Sequence, residues 1–572
     1  MDANKDQSVP TSIVKQGGID VRAYVRSGDP YVWITAAAIS LSVLMTVALL
    51  GLIMVRGAAH FWPDDLVQAH YRQPGSSEQL LLAQIRSSEQ VTSARLRDAG
   101  LPVDSSRDTY ERALLKIGNR DVNGVDFRYV VSDWLEDRTT PEDAAVWERV
   151  EWGNLHAYLE FVQLGKQRHA GADAWPAYLE AQARANDLRE QISDIEKRKI
   201  GAINHAIEKL RLAERGRELK GVFRAQQPQA FADLDAERAE LDRRYAQLAE
   251  ARRALYQALE RDTISVRLVD GSIREFPLSE LISGWRPNQM NVLEKTGFWF
   301  GKLWDFIFDD PREANTEGGI FPAIFGTVLM VLLMSVFVTP FGILAALYLR
   351  EYAKQGLVTR IVRIAVNNLA GVPSIVYGMF GLGFFVYFLG GNLDRLFYPE
   401  AAPAPVFGTP GILWASLTLA LLTLPVVIVA TEEGLARIPR SLREASLALG
   451  ATKWETLWRV VLPMASPAMM TGLILGIARA AGEVAPLMLV GVVKLAPSLP
   501  LDGLFPFLHL ERKFMHLGFH IYDVGFQSPN VEAARPLVYA TSFLLVLVII
   551  VLNLAAITIR NRLREKYKAL EH

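Results

Sequence analysis

The chain has 572 residues, half of them hydrophobic, a formal net charge of −1 and no cysteine. That balance gives no bulk attraction to nucleic acid, and the missing thiols exclude disulfides, thiolate metal sites and a cysteine nucleophile. The hydrophobic residues gather in a few long runs, the distribution of a membrane protein with a polar insert.

After a polar tail, 1–31, the stretch Val32–Val55 offers about 24 uncharged residues, roughly 36 Å as a helix, enough to cross a ~30 Å hydrocarbon core with some tilt. It is too long for a cleaved signal peptide and no small-residue cleavage pattern follows it, so it is expected to be a retained anchor. Five further spans are predicted at about Ile320–Leu349, Val372–Leu389, Gly411–Ala430, Met464–Val492 and Leu537–Ile559. Arg and Lys crowd 350–363, 437–459 and 560–568, whereas 391–410 holds only Arg395. The positive-inside rule then puts the tails 1–31 and 560–572 and the segment 437–463 in the cytoplasm, with 56–319 outside it.

The interval 56–319 is polar and highly charged. Within it, 175–262 reads as an antiparallel helical hairpin of coiled-coil type. One arm carries Leu188, Ile192, Ile195, Ile200, Ile203, Ile207 and Leu210, spaced by four and three with a single interruption of five. The other carries Leu234, Leu241, Tyr245, Leu248, Leu255 and Leu259. The turn falls at Gly221–Ala230, with Pro228. A β-hairpin follows, with Asp270-Gly271 predicted to form a type I′ turn. The aromatic stretch Phe298–Phe308 suits either a segment in the membrane interface or a packed foot of the outer domain. No residue cluster in this interval has catalytic character.

The segment EASLALGATKWETLWRVVLP, Glu444–Pro463, is polar at its start, aromatic in its middle and flanked by apolar runs. Ser441 and Glu444 have capping-box spacing, Gly450 provides a helix stop, and Thr452 and Glu455 form a second capping box. Trp454, Leu457, Trp458 and Val461 then share one face, and Pro463 is expected to close that helix. Such a helix could dock a cytosolic partner or rest on lipid headgroups.

The pattern Glu444-Ala445-Ser446, three residues, Gly450, nine residues, Val460, one residue, Leu462-Pro463 resembles the EAA motif of ABC-importer permeases, with serine for alanine and valine for isoleucine. The stretches Asn368–Gly378 (NLAGVPSIVYG) and Arg479–Leu487 (RAAGEVAPL) resemble the phosphate-specific members, and the Ala485-Pro486-Leu487 ending is closer to the PstA type than to the PstC type. The resemblance covers about 310–560 and leaves the insertion outside it. It implies a multi-pass protein of the bacterial inner membrane, with Glu444, Ala445, Gly450, Trp454, Leu462 and Pro463 in a coupling segment that docks on an ATPase. It also implies a PstC-like second permease, a PstB-like ATPase dimer, a PstS-like phosphate-binding protein outside, and a substrate pathway that takes in Arg479, Glu483, Asn368 and Ser374. The expected fold is an α-helical integral membrane protein with six transmembrane helices of ABC-importer permease type. A large, mainly helical extracytoplasmic insertion is expected between the first and second spans, and the permease core covers 320–559.

Arg479 and Glu483, four residues apart within the predicted fifth span, are expected on one helical face. They could neutralise each other as scaffold. Alternatively, Arg479 offers phosphate the planar donor fork of a guanidinium while Glu483 holds it and limits how tightly the anion binds. Asn367 and Asn368 could line the inner mouth of the third span or merely cap it. His509, His516 and His520 share one external loop without zinc-like spacing to an acidic partner, so they read as ordinary loop residues and no metal or cofactor is expected. There is no GxxxxGK[ST] stretch, so ATP hydrolysis is assigned to another polypeptide and the chain to transport, not catalysis. The rival class is a membrane sensor with an outer helical domain; it would need a cytoplasmic output domain, for which the tail after Ile559 is too short.

Overall fold

Among the residues that the computed structural model describes (27–104, 106–312, 315, 317–528 and 531–568), six helices are long and apolar enough to cross a membrane. They are Tyr31–Ala59, Phe321–Tyr352, Ser374–Phe397, Ile412–Arg437, Lys453–Gly482 and Arg535–Glu565. Most of the predicted tail 1–31 and the end of the tail 560–572 lie outside the described residues. The chain divides into two units at Arg56/Gly57. Among the described residues the first holds helix α1 (Asp29–Ala59) as far as Arg56, apolar on all sides as a membrane-spanning helix can be, and the last turn of that helix, Gly57–Ala59, belongs to the second unit.

The second unit begins with strands, which correct the expectation of a mainly helical insertion over 66–170. Strands β1 (Leu66–Tyr71), β2 (Gln79–Thr92), β3 (Thr109–Lys116), β4 (Phe127–Val131) and β5 (Leu135–Thr139) form a sheet of order β4-β3-β2-β1-β5. A second sheet, of order β10-β9-β7-β6-β11 with β8 on β7, uses β6 (Ala144–Arg149), β7 (Asn154–Leu164), β8 (Gln167–Ala170), β9 (Thr263–Arg267), β10 (Ile273–Pro277) and β11 (Leu281–Trp285). Most pair with a neighbour in sequence, while β1–β5, β7–β9 and β6–β11 close the sheets over long intervals; several strands carry charges, so the alternation that marks a strand is weak. Ala145, Trp147, Leu155 and Ala157 of this second sheet are completely buried.

The helices α2 (Ala174–Ser193), α3 (Gly201–Leu219) and α4 (Ala232–Glu260) make the antiparallel hairpin. The five-residue interval between Ile195 and Ile200 falls inside a π-helical segment, Asp194–Ile200. An i→i+5 turn absorbs the extra residue and keeps Ile192, Ile195, Ile200 and Ile203 buried on one seam. Tyr245, read as part of the other seam, is exposed. The ion pairs Arg217–Asp233 (2.6 Å) and Arg224–Glu214 (2.7 Å) fasten the hairpin's turn.

The β9–β10 turn differs from the type I′ expectation. Asp270 does not have the positive φ that type I′ requires; Gly271 alone has it, at 84°. Leu268 N–H bonds to Ser272 O, and Gly271 N–H bonds to Leu268 O, which makes a longer loop with a single left-handed residue.

Helix α5 (Val292–Phe308), started by an Asn291/Glu294 capping box, leads into the membrane core. There, α6 (Phe321–Leu347) continues as a π turn, Tyr348–Tyr352, before α7 (Leu357–Leu369) and α8 (Ser374–Phe380). A π segment at Gly381–Gly390 extends α8 and is followed by α9 (Ile412–Arg437), α10 (Arg440–Ala448), α11 (Leu462–Gly482) and α12 (Val531–Lys568). Helix α9 is central: Leu419 and Leu422 pack with Met330 and Met334 of α6 and Ile477 and Ala480 of α11. A Cβ on Gly472 would lie 2.7 Å from the Ala430 side chain, so the α9–α11 crossing depends on small residues, as helix pairs in lipid commonly do.

Two expectations about the fifth span are corrected. Pro463 does not close the preceding helix, because the chain is helical without interruption from Lys453 to Gly482. A π segment, Leu457–Val461, lies just ahead of the proline, and the wider turn accommodates its ring and missing N–H inside the continuous helix. The span also stops at Gly482, ten residues short of the predicted Val492, since Glu483 is extended (φ −79°, ψ 132°).

Candidate functional site

Two constellations carry the chemistry expected from the sequence. The first is the segment between α9 and α11. No Ser441 cap forms, correcting that expectation: α10 begins after Pro439, and Ser441 lies within its first turn. At the other end, Gly450 takes φ 86°; its N–H bonds to Leu447 O, and Ala451 N–H bonds to Ser446 O. This is the Schellman closure that glycine makes without strain. The Thr452/Glu455 capping box then starts the next helix, and the Ser446 and Thr456 hydroxyls meet at 2.9 Å across the break.

The segment is bolted to the end of α6. Arg443 bonds to Glu351 Oε1, Leu435 O and Ile438 O, each at 2.9 Å, while Lys453 Nζ reaches Glu351 O and stands 4.4 Å over the Tyr352 ring. Leu457 and Val461 are buried, and Leu462 packs against the same cluster. Glu444, Ala445 and Trp454 point outward, and Trp454 stacks on Trp458 with ring planes 18° apart. The two rings are 55% and 60% exposed, and Leu449 at the break is 90% exposed. A rigid, aromatic, solvent-facing corner tied to three membrane helices can transmit a displacement applied to it.

The second constellation joins the two other stretches singled out in the sequence. Arg479 lies in the last turn of α11, and its Nε is 3.5 Å from Glu483 Oε1. The pair forms, but across the end of the helix and not along one of its faces. Asn368, near the end of α7, is exposed; its carbonyl accepts from Gly371 N–H in the turn that leads through Pro373 to Ser374, the first residue of α8. Asn368 and Ser374 thus share one turn, and Arg479 and Glu483 share one helix end.

Tyr377, for which the sequence suggested no role, lies between them. Its hydroxyl donates to Leu369 O at 2.6 Å, and it is within electrostatic reach of Arg479. Its neighbour Gly378 has no space for a side chain, because a Cβ there would meet Pro486 Cα at 2.7 Å. An aromatic hydroxyl beside a glycine within the apolar third span was the available signal.

The three histidines are not ordinary loop residues. All are buried, and His509 is held between Asp502 (3.0 Å) and Glu511 (3.2 Å), with Arg512 also on Asp502. Burial pushes His516 down to about 3, and its Nδ1 accepts from Gly518 N–H. No group of three metal-ligating side chains occurs among the described residues. His509 also meets His205 of α3 edge to face at 6.2 Å, so this loop seats the insertion's hairpin on the core.

Residues 338–568 match the family described as binding-protein-dependent transport system inner membrane component. The chain is 36% identical over 270 residues to phosphate transport system permease protein PstA 1 of Mycobacterium tuberculosis, covering 47% of this chain and 78% of that one. It is 32% identical over 229 residues to phosphate transport system permease protein PstC of Xylella fastidiosa, covering 38% and 68%. Among solved structures, a chain of an inward-facing MetNI methionine ABC transporter is 19% identical with a TM-score of 0.31, covering 42% of this chain and 94% of that one. With a relative of more than 30% identity matched over most of its length, the chain belongs to the family of phosphate transport system permeases, membrane components of binding-protein-dependent ABC importers.

Proposed function

We propose that this chain is the PstA-type permease subunit of an ATP-driven phosphate importer in a bacterial inner membrane. The observation that carries this reading is the rigid corner at Gly450, which presents Leu449, Trp454 and Trp458 to solvent while Arg443 and Lys453 lock it to α6. It faces the cytoplasm and docks on a PstB-like ATPase dimer, so that closure of the dimer moves α9 and α11 together. A PstC-like permease completes the pathway, and a PstS-like protein delivers phosphate from outside, where the insertion 56–319 also lies.

In the pathway, Arg479 meets the anion with its guanidinium, whose donors match phosphate oxygens. Glu483 at 3.5 Å orients it and keeps the net field weak enough for release. Asn368 and Ser374 offer polar groups at the turn below. Radiolabelled phosphate uptake in a strain lacking its own permease, with and without this chain and its partners, tests the reading. Uptake restored for phosphate and competed by no other oxyanion is the expected result; unchanged uptake overturns it.

A further inference from the structure

Helix α5 is amphipathic the wrong way round for a protein surface. A helix lying on a soluble domain buries its apolar stripe and shows its lysines to water. Here the lysines face inward. Lys302 Nζ bonds to Glu148 of β6 at 2.5 Å and to Ser283 Oγ at 3.1 Å, and Lys295 pairs with Asp65. Burial opposes the charge on Glu148, but Lys302 and Arg312 outweigh it and hold the carboxyl at about 2.

The opposite face carries Leu293, Gly297, Phe300, Gly301, Trp304 and Phe308, an uncharged arc about 100° wide at the helical repeat. Leu293 is 83% exposed, Phe300 61% and Trp304 64%. A Cβ added at Gly297 or Gly301 would meet nothing within 4 Å, so among the described residues nothing covers this face.

What covers it follows from where the helix is held. Trp299 Nε1 donates to Ala58 O at 2.7 Å, in the last turn of α1. Phe306 packs on Phe61, with ring centroids 5.0 Å apart, and joins Ile320 and Ala323 at the start of α6. The end of one membrane helix and the beginning of another therefore fix α5 at the level where hydrocarbon gives way to headgroups. Tryptophan is favoured at that depth, and Trp, Phe and Leu are the side chains that interfacial helices turn toward lipid.

We propose that α5 is an interfacial foot, with its Leu293–Phe300–Trp304–Phe308 face embedded in the headgroup layer of the leaflet where α1 ends and α6 begins. The occupant is lipid, and the Lys302–Glu148–Arg312 cluster on the other face passes that anchorage to the second sheet. The insertion then stands at a fixed height over the membrane, supported by lipid on one side and by the His205–His509 contact on the other. This goes beyond the transport reading and rests only on the apolar helices crossing a bilayer.

The cysteine-free chain allows a direct test. Phe300→Cys and Trp304→Cys are each spin-labelled in the full chain, reconstituted in nanodiscs with whatever partners co-purify, and probed with oxygen and with a water-soluble nickel chelate. Leu44→Cys in α1 and Glu250→Cys in α4 serve as lipid and water references. Oxygen collisions exceeding nickel collisions several-fold at both sites, at a depth shallower than Leu44, is the expected result. Nickel dominating at either site overturns the proposal in favour of a water-exposed helix. Low accessibility to both reagents also overturns it and makes the face a contact for a second copy or another protein.

Discussion

Gly378 lies so close to Pro486 that a β-carbon on the glycine would come 2.7 Å from the proline Cα and 2.9 Å from its carbonyl oxygen. Both obstructing atoms are backbone, so neither can rotate away. Gly378→Ala should separate α8 from the Ala485–Leu487 turn and cost about 1–3 kcal/mol through overpacking. Gly383→Ala, with nothing within 4 Å, is the matched control. Thermal unfolding in detergent should show the first variant destabilised and the second not.

Gly450 offers the opposite case. Its surroundings are empty, so only φ 86° resists a side chain. Gly450→Val should cost about 1–2 kcal/mol of local strain, and Gly450→Asn much less. Because the corner presents the paired tryptophans, Gly450→Val and Trp454→Ala should both reduce co-purification of an ATPase subunit while the chain still inserts. Normal ATPase recovery with both variants would remove the docking assignment.

Arg479 can be separated from scaffold by its partner. Arg479→Gln should assemble yet import phosphate poorly, and Arg479→Lys should recover part of the rate, since an ammonium keeps charge but loses the planar fork. If the pair at 3.5 Å is merely self-neutralising, Arg479→Gln combined with Glu483→Gln should restore uptake in full. A double variant that remains as slow as Arg479→Gln supports the pathway role.

The topology can be read with single cysteines. One at Gln227, in the exposed turn of the hairpin, should react with an impermeant maleimide in outer-permeabilised cells. One at Ser441, exposed on α10, should react only after the inner membrane is opened. Reversed labelling would invert the assignment of sides.

Acid should loosen the insertion in two stages. Burial first, then nearby Lys116, pushes His156 down to about 3 from 6.5. Below pH 6.5 the unfolded chain takes up a proton that the folded chain refuses, so stability falls from there toward pH 3, by about 2–3 kcal/mol at pH 4.5. Glu148, held at about 2, contributes stability that is complete above pH 4.5 and lost as pH falls toward 2. Hydrogen exchange of the β6–β7 amides in the full chain should show protection declining from pH 6.5 downward. His156→Gln should flatten the decline between pH 6.5 and 4.5. Glu148→Gln should lower protection already at pH 7 and leave the upper stage in place.

Local chemistry alone determined a good part of this protein. Apolar runs longer than a bilayer is thick can do little but span it, and five of the six candidate helices begin or end within a few residues of the predicted limits. The spacing Thr452–Glu455 and the glycine at 450 specify a cap and a stop because those bonds are made within one turn. The five-residue skip at Ile195–Ile200 likewise recorded a π segment. What the tertiary structure decided depends on partners far apart in the chain. The β1–β5, β7–β9 and β6–β11 pairings that assemble the two insertion sheets, the inward lysines of α5, the contact of Gly378 with Pro486, and the meeting of His509 with His205 all arise from such partners. A residue's face or burial is set by what packs against it. Where that neighbour lies a hundred positions away, periodicity and spacing carry no record of it.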